Sequence, residues 1–118
     1  EVMIIGGDHN FKEIGIYMKD AKSGGTNLPV IIEDDVWIGS RTTILKGVNI
    51  FEGVVVGAGS LVTKNLPPYS ICLGSPCKPI RCRFTRSALI NHLQAVNSKY
   101  SIEDIESIYK KVDIKFDE

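Results

Sequence analysis

The chain has 118 residues, 43% hydrophobic and 24% charged, with 14 basic side chains balancing 14 acidic ones. That length supports one hydrophobic core, and a formal net charge of zero gives no electrostatic drive toward nucleic acid or an anionic membrane as partner. No apolar run is long enough to span a bilayer and no signal peptide is visible, so a cytoplasmic location is the expectation.

The chain opens on EVMII, an apolar run that reads as the middle of a structured segment, and upstream residues are expected. Residues 2–9, VMIIGGDH, fit one strand and a corner. Residues 10–29 break the pattern around them. They are mixed, carry Lys, Asp and Gly, and end at Pro29. A long irregular insertion in a regular fold is typically a functional loop or a disordered one.

From Ile32 the chain can be written in sixes: IEDDVW, IGSRTT, ILKGVN, IFEGVV, VGAGSL, VTKNLP. The first position is Ile32, Ile38, Ile44, Ile50, Val56 and Val62, always β-branched and aliphatic. The fourth is Asp35, Arg41, Gly47, Gly53, Gly59 and Asn65. Gly, Asn and Asp tolerate positive φ; Arg41 alone breaks that rule. Each hexad therefore reads as a short strand ending in a sharp corner, with its first residue facing inward. Three hexads make a triangular coil, so residues 32–49 and 50–67 predict about two coils of a hexapeptide parallel β-helix. One coil cannot bury its own inner face, and stacking supplies the core. An antiparallel meander would instead show a period of two and irregular turn spacing. The glycines of VGAGS are corners: no third glycine follows at the offset a dinucleotide fingerprint needs, and no strand–helix unit surrounds them.

After the coils, Pro67, Pro68, Pro76 and Pro79 mark an irregular closing segment. Thr85 can cap a helix whose apolar residues are Ala88, Leu89, Leu93 and Val96. Ser101 caps a second, with Ile102, Ile105, Ile108, Tyr109 and Val112 on one face; Asp104 makes a looser form of capping box. These helices should pack on the end of the coil or on a neighbouring subunit. Cys72, Cys77 and Cys82 are odd in number and share one short segment, which argues for reduced thiols over a disulfide framework or a zinc site. His92 lies within the first helix and reads as a packing or surface histidine. His9 follows the first strand directly and opens the long insertion.

Three stretches in order, SGGTNLPVIIEDDVWIGS, VVVGAGSLVTKNLPP and GSPCKPIR, resemble the galactoside and maltose acetyltransferase group of hexapeptide-repeat acyltransferases, and the O-acetyltransferases of bacterial surface polysaccharides. The run from Ser23 to Arg81 carries the likeness. The resemblance implies a left-handed parallel β-helix with a projecting loop; with the hexads and the helix caps, the expected fold class is all-β, with the β-helix and its loop at 10–29 filling residues 1–84 and a C-terminal α-helical extension at 85–118. It implies an acetyl-CoA-dependent O-acetyltransferase acting on a sugar or polysaccharide hydroxyl, as a homotrimer with sites between subunits and with no metal.

In that family a histidine upstream of VWIGS, followed by a projecting loop, is the general base, and His9 matches it. A neutral imidazole suits proton removal from a hydroxyl near pH 7. The resemblance places Ser40 near the thioester, where a donor could meet the developing oxyanion. It places Trp37, Ser40, Gly57 and Ala58 along the pantetheine arm of coenzyme A, Thr63 and Lys64 near the nucleotide end, and Arg81 on a phosphate. Lys78 stands where close relatives carry arginine, keeping the charge but losing the planar fork. Tyr17, Met18 and Lys19 are acceptor-side candidates by their position in the loop. Two other readings compete: a catalytically silent β-helix serving as a scaffold or binding module, and a β-helical zinc carbonic anhydrase. The latter needs three histidines, and the chain has two.

Overall fold

The computed structural model describes residues 1–22, 24–25 and 27–118; Ser23 and Thr26, within the first family motif and the expected loop, lie outside the described residues. The strands are β1 (Val2–Ile5), β2 (Ile31–Ile32), β3 (Trp37–Ile38), β4 (Thr42–Leu45), β5 (Asn49–Ile50), β6 (Val55–Val56), β7 (Leu61–Val62), β8 (Ser70–Gly74) and β9 (Cys77–Cys82). They form three sheets, β1-β4-β7, β2-β5 and β3-β6-β8-β9, parallel throughout except for the closing β8–β9 hairpin. These are the three faces of a triangular coil. Ile32 pairs with Ile50, Ile38 with Val56 and Ile44 with Val62, each one turn of three hexads further along. The predicted period of six is therefore the step from one face to the next, and three such steps make one rung.

Two departures from strict sixes shape the molecule. Ile4 pairs with Ile44, while the next face begins at Ile32. The step from Ile4 to Ile32 covers 28 positions where Ile44 to Ile50 covers 6, so 22 residues are inserted at one corner. On the third coil the same corner is two residues short, because Ile50 bridges Leu66 and Val56 pairs with Cys72. This corrects the reading of VTKNLP as a regular sixth hexad. Leu66, not a residue of the expected register, takes the inward first position, and Asn65 does not adopt positive φ. Its side chain instead accepts the Asn49 backbone N–H at 2.8 Å. The other corners turn as expected at Asp35, Gly47, Gly53 and Gly59, and Arg41 also turns with φ of 61°.

The inner faces stack into one cluster of Ile44, Val48, Ile50, Val54, Val56, Val62, Leu66, Cys72 and Cys77. Complete burial of such an aliphatic side chain contributes about 1.5–3 kcal/mol. Thr42 and Ser60 are buried beside it, and each hydroxyl donates to the carbonyl three residues back, on Gly39 and Gly57. Ile32, expected in this core, is 39% exposed, and Ile4 53%. The first coil has a stacked neighbour on one side only among the described residues, so its inner face is half covered.

Two helices follow, α1 (Arg86–Ala95) and α2 (Ile102–Val112). Thr85 caps the first by accepting the Ala88 N–H. Ser101 and Asp104 form the complete reciprocal capping box. Shorter Asp thus reaches back as Glu would. Leu89, Leu93, Ile105 and Tyr109 meet Tyr69 and Cys82 in a second core. The helices therefore dock on this chain's own last rungs and on the corner between the second and third faces. Tyr109 Oη donates to Pro68 O at 2.6 Å. His92 stacks near Phe84 (4.9 Å between centroids) and Tyr69 (5.4 Å), as a packing histidine does. No helix is long and apolar enough to cross a membrane among the described residues.

Candidate active site

β1 delivers the chain through Gly6 and Gly7 to Asp8 and His9 at the mouth of the insertion. The neck is closed by the Leu28 N–H, which donates to Gly6 O at 3.1 Å. On the returning side of the loop Gly25 lies so close to residue 8 that a Cβ on it would sit 2.2 Å from the Asp8 carbonyl oxygen. No side chain fits there, which explains a glycine at that place. Within the loop the only regular element among the described residues is a 3₁₀ turn, Met18–Asp20. The Glu13 carboxylate accepts the Lys22 N–H across it.

His9 is exposed. It lines a cleft of about 410 Å³ with Phe11, Lys12, Gly24 and Lys46. Asp8 Oδ2 pairs with Lys46 Nζ at 2.6 Å, so the neighbouring carboxylate is engaged by the next coil. Lys46 was not among the sequence candidates. Its signal was available in principle: it precedes the corner Gly47, on the coil that stacks directly upon the insertion. Tyr17 and Met18 are 79% and 60% exposed, and neither lines this cleft.

The coenzyme candidates fall into two groups. Trp37, 71% exposed, stands on the outer side of the third face in register with Val55. Ser40 and Ala58 are exposed at the adjoining corner, where the Gly59 N–H donates to Ser40 O at 2.8 Å. Gly57 is half-buried there, bonded through its N–H to Cys72 O. Thr63, Lys64 and Lys78 come together in a second cavity of about 370 Å³ that also takes Val112 from α2. Arg81 does not line that cavity; it donates to Cys82 O at 2.9 Å and pairs with Asp117 at 3.2 Å.

The first face separates these groups. His9, Lys46 and the Thr63–Lys64 pair belong to the corner where its strands end. Ser40 and Ala58 belong to the corner where they begin. A four-residue strand such as β4 spans about 13 Å, so one chain does not bring His9 and Ser40 into a single pocket.

All three cysteines are buried and unpaired. Burial pushes the Cys72 thiol up to about 12 and raises that of Cys77, the condition of inert structural thiols. Among the described residues no three His, Cys, Asp or Glu side chains gather where they could hold a metal ion.

Residues 29–64 match the family described as the hexapeptide repeat of succinyl-transferase. A chloramphenicol acetyltransferase of Klebsiella aerogenes is 40% identical over 86 residues, 73% of this chain and 39% of that protein. A maltose O-acetyltransferase from Clostridium difficile 630 superposes with a TM-score of 0.58 and 40% identity, over 68% of this chain and 41% of that one. A galactoside acetyltransferase solved in complex with coenzyme A gives a TM-score of 0.58 and 36% identity, over 69% of this chain and 38% of that one. The chain thus spans less than half the length of these relatives. With its three-faced hexad coil and its insertion at one corner, the chain carries the hexapeptide repeat over residues 29–64 and is similar, over about two thirds of its length, to parts of hexapeptide-repeat acetyltransferases.

Proposed function

We propose that this chain carries the catalytic centre of an acetyl-CoA-dependent O-acetyltransferase whose acceptor is a sugar or glycan hydroxyl. The coil is left-handed in this reading, residues 1–84 form the acyltransferase unit with residues 85–118 as its extension, and three copies assemble in the cytoplasm. The observation that carries it is the placement of His9: exposed at the neck of the insertion, over a cleft, on one edge of a coil whose other edge presents Trp37 and Ser40. Side-by-side packing of two coils would set the His9 edge of one against the Ser40 edge of the next, which unites groups that a single chain keeps apart.

The residues suit a long, anionic thioester. Trp37 and the nearly side-chain-free corner Gly57–Gly59 leave room for an extended pantetheine arm. Lys64 and Lys78 put two cations beside one cavity for its phosphates. Bound acetyl-CoA would supply an activated acetyl group. His9 would take the proton from the acceptor hydroxyl as it attacks, and Ser40 would donate to the oxyanion that develops.

His9→Ala should lower kcat for acetyl transfer by about 10²–10⁴-fold, the usual contribution of a positioned base. Wild-type rates in that variant on the true acceptor would overturn this mechanism, and failure to bind coenzyme A in calorimetry would remove the enzyme reading. A panel of mono-, di- and polysaccharide acceptors with labelled acetyl-CoA identifies the substrate.

A further inference from the structure

We propose that the C-terminal segment, residues 113–118, is a built-in competitor at the nucleotide end of the coenzyme site, with Asp117 occupying the guanidinium of Arg81 that a phosphate would otherwise take. The inference rests on the coenzyme reading above.

Three observations converge on it. After α2, residues 115–117 run beside residues 82–84 as an added rung: the Cys82 N–H donates to Lys115 O at 2.8 Å, and the Asp117 N–H to Phe84 O at 3.0 Å. Ile114 and Phe116 pack into the second core, with Phe116 5.5 Å from the Tyr109 ring. Backbone pairing and side-chain burial thus deliver Asp117 to one place, and its carboxylate meets Arg81 Nη1 at 3.2 Å. The helix that precedes the segment reaches the cavity of Thr63, Lys64 and Lys78 through its last residue, Val112.

Of the three cations that the family resemblance sets toward the coenzyme's phosphates, Lys64 and Lys78 share a cavity and make no ion pair among the described residues, whereas Arg81 lies outside that cavity and makes one. A phosphate takes an arginine best through two parallel hydrogen bonds, so it has to displace this carboxylate. Tethering gives the carboxylate a high effective concentration. Both partners are about half exposed, at 44% and 51%, so the contact is of the weak, salt-sensitive kind that a polyanion can open. The latch lowers affinity without abolishing binding.

The test is calorimetric titration of the wild type, Asp117→Asn and Glu118→Gln with coenzyme A and with pantetheine, which lacks the phosphates, at low and high salt. Asp117→Asn should bind coenzyme A about two- to fivefold more tightly at low salt, with the gain shrinking as salt rises and with pantetheine unaffected. Glu118→Gln, which removes the same charge one residue on, should stay close to wild type. Unchanged or weaker binding by Asp117→Asn overturns the latch, as does an equal gain in Glu118→Gln, which would make the effect one of net charge. If neither the wild type nor Asp117→Asn binds coenzyme A, the coenzyme reading falls, and the latch with it.

Discussion

Gly53 and Gly59 turn corners of the coil with nearly the same backbone, φ of 74° and 72°, yet their surroundings differ. A Cβ on Gly53 would lie 2.4 Å from the ring of Tyr69, while on Gly59 it would meet nothing within 4 Å. Gly59→Ala should cost only the left-handed backbone penalty, about 1–2 kcal/mol. Gly53→Ala should add overpacking of about 1–3 kcal/mol. Thermal unfolding of the two variants measures the difference, and equal losses would contradict the close packing of Tyr69 on that corner. Residue identity alone made these positions equivalent. It also favoured positive φ at Asn65 over Arg41, and the structure reverses that order: the full-length corner at Arg41 must turn as its neighbours do, whereas the shortened corner at Asn65 has no such turn to make.

At the scale of elements, the connection between α1 and α2 is pinned to the coil by two carboxylates. Glu33 accepts from Tyr100 Oη at 2.8 Å and Lys99 Nζ at 3.0 Å, and also from the Glu52 N–H. Glu52 accepts from Tyr69 Oη at 2.6 Å and Ser98 Oγ at 2.5 Å. Burial would raise the Glu33 pKa, but the bonds from Tyr100, Lys99 and the Glu52 amide outweigh it and hold the carboxyl below its ordinary value. A depressed folded-state pKa means stability that is present above the unfolded value and lost as pH falls through the folded one. Glu33→Gln should therefore unfold at a lower temperature than wild type at pH 7, and the gap should narrow as pH falls below the usual carboxylate range. A gap independent of pH would mean that the charge of Glu33 does not hold the helices. The helix starts were legible, because Thr85 and Ser101 cap locally. Their docking was not, because Glu33 and Tyr100 meet across 67 positions.

For the whole molecule, the described residues extend 57 × 27 × 24 Å, and the proposed chemistry requires more than one copy. His9 and Ser40 sit on opposite edges of the first face, while Met3 and Ile5 between those edges are 60% and 39% exposed. Closed symmetric assembly would cover that face and join the edges. Sedimentation equilibrium should give the mass of three chains. A monomer retaining full acetyl transfer would overturn the inter-subunit site.

The sequence by itself determined the coil, because a residue facing inward at every sixth position is a local, repeated demand that the order of residues records directly. It marked the insertion, the helix caps and, through likeness to a family, His9, Trp37 and Ser40 as candidates for the site. Only the tertiary structure decided which of these are neighbours. The corner two residues short on the third coil, the Asp8–Lys46 pair, the cavity uniting Lys64 with Lys78 and the hold of Asp117 on Arg81 all depend on how coils stack and where the tail returns. Those contacts join positions far apart in the chain, and no short pattern encodes them.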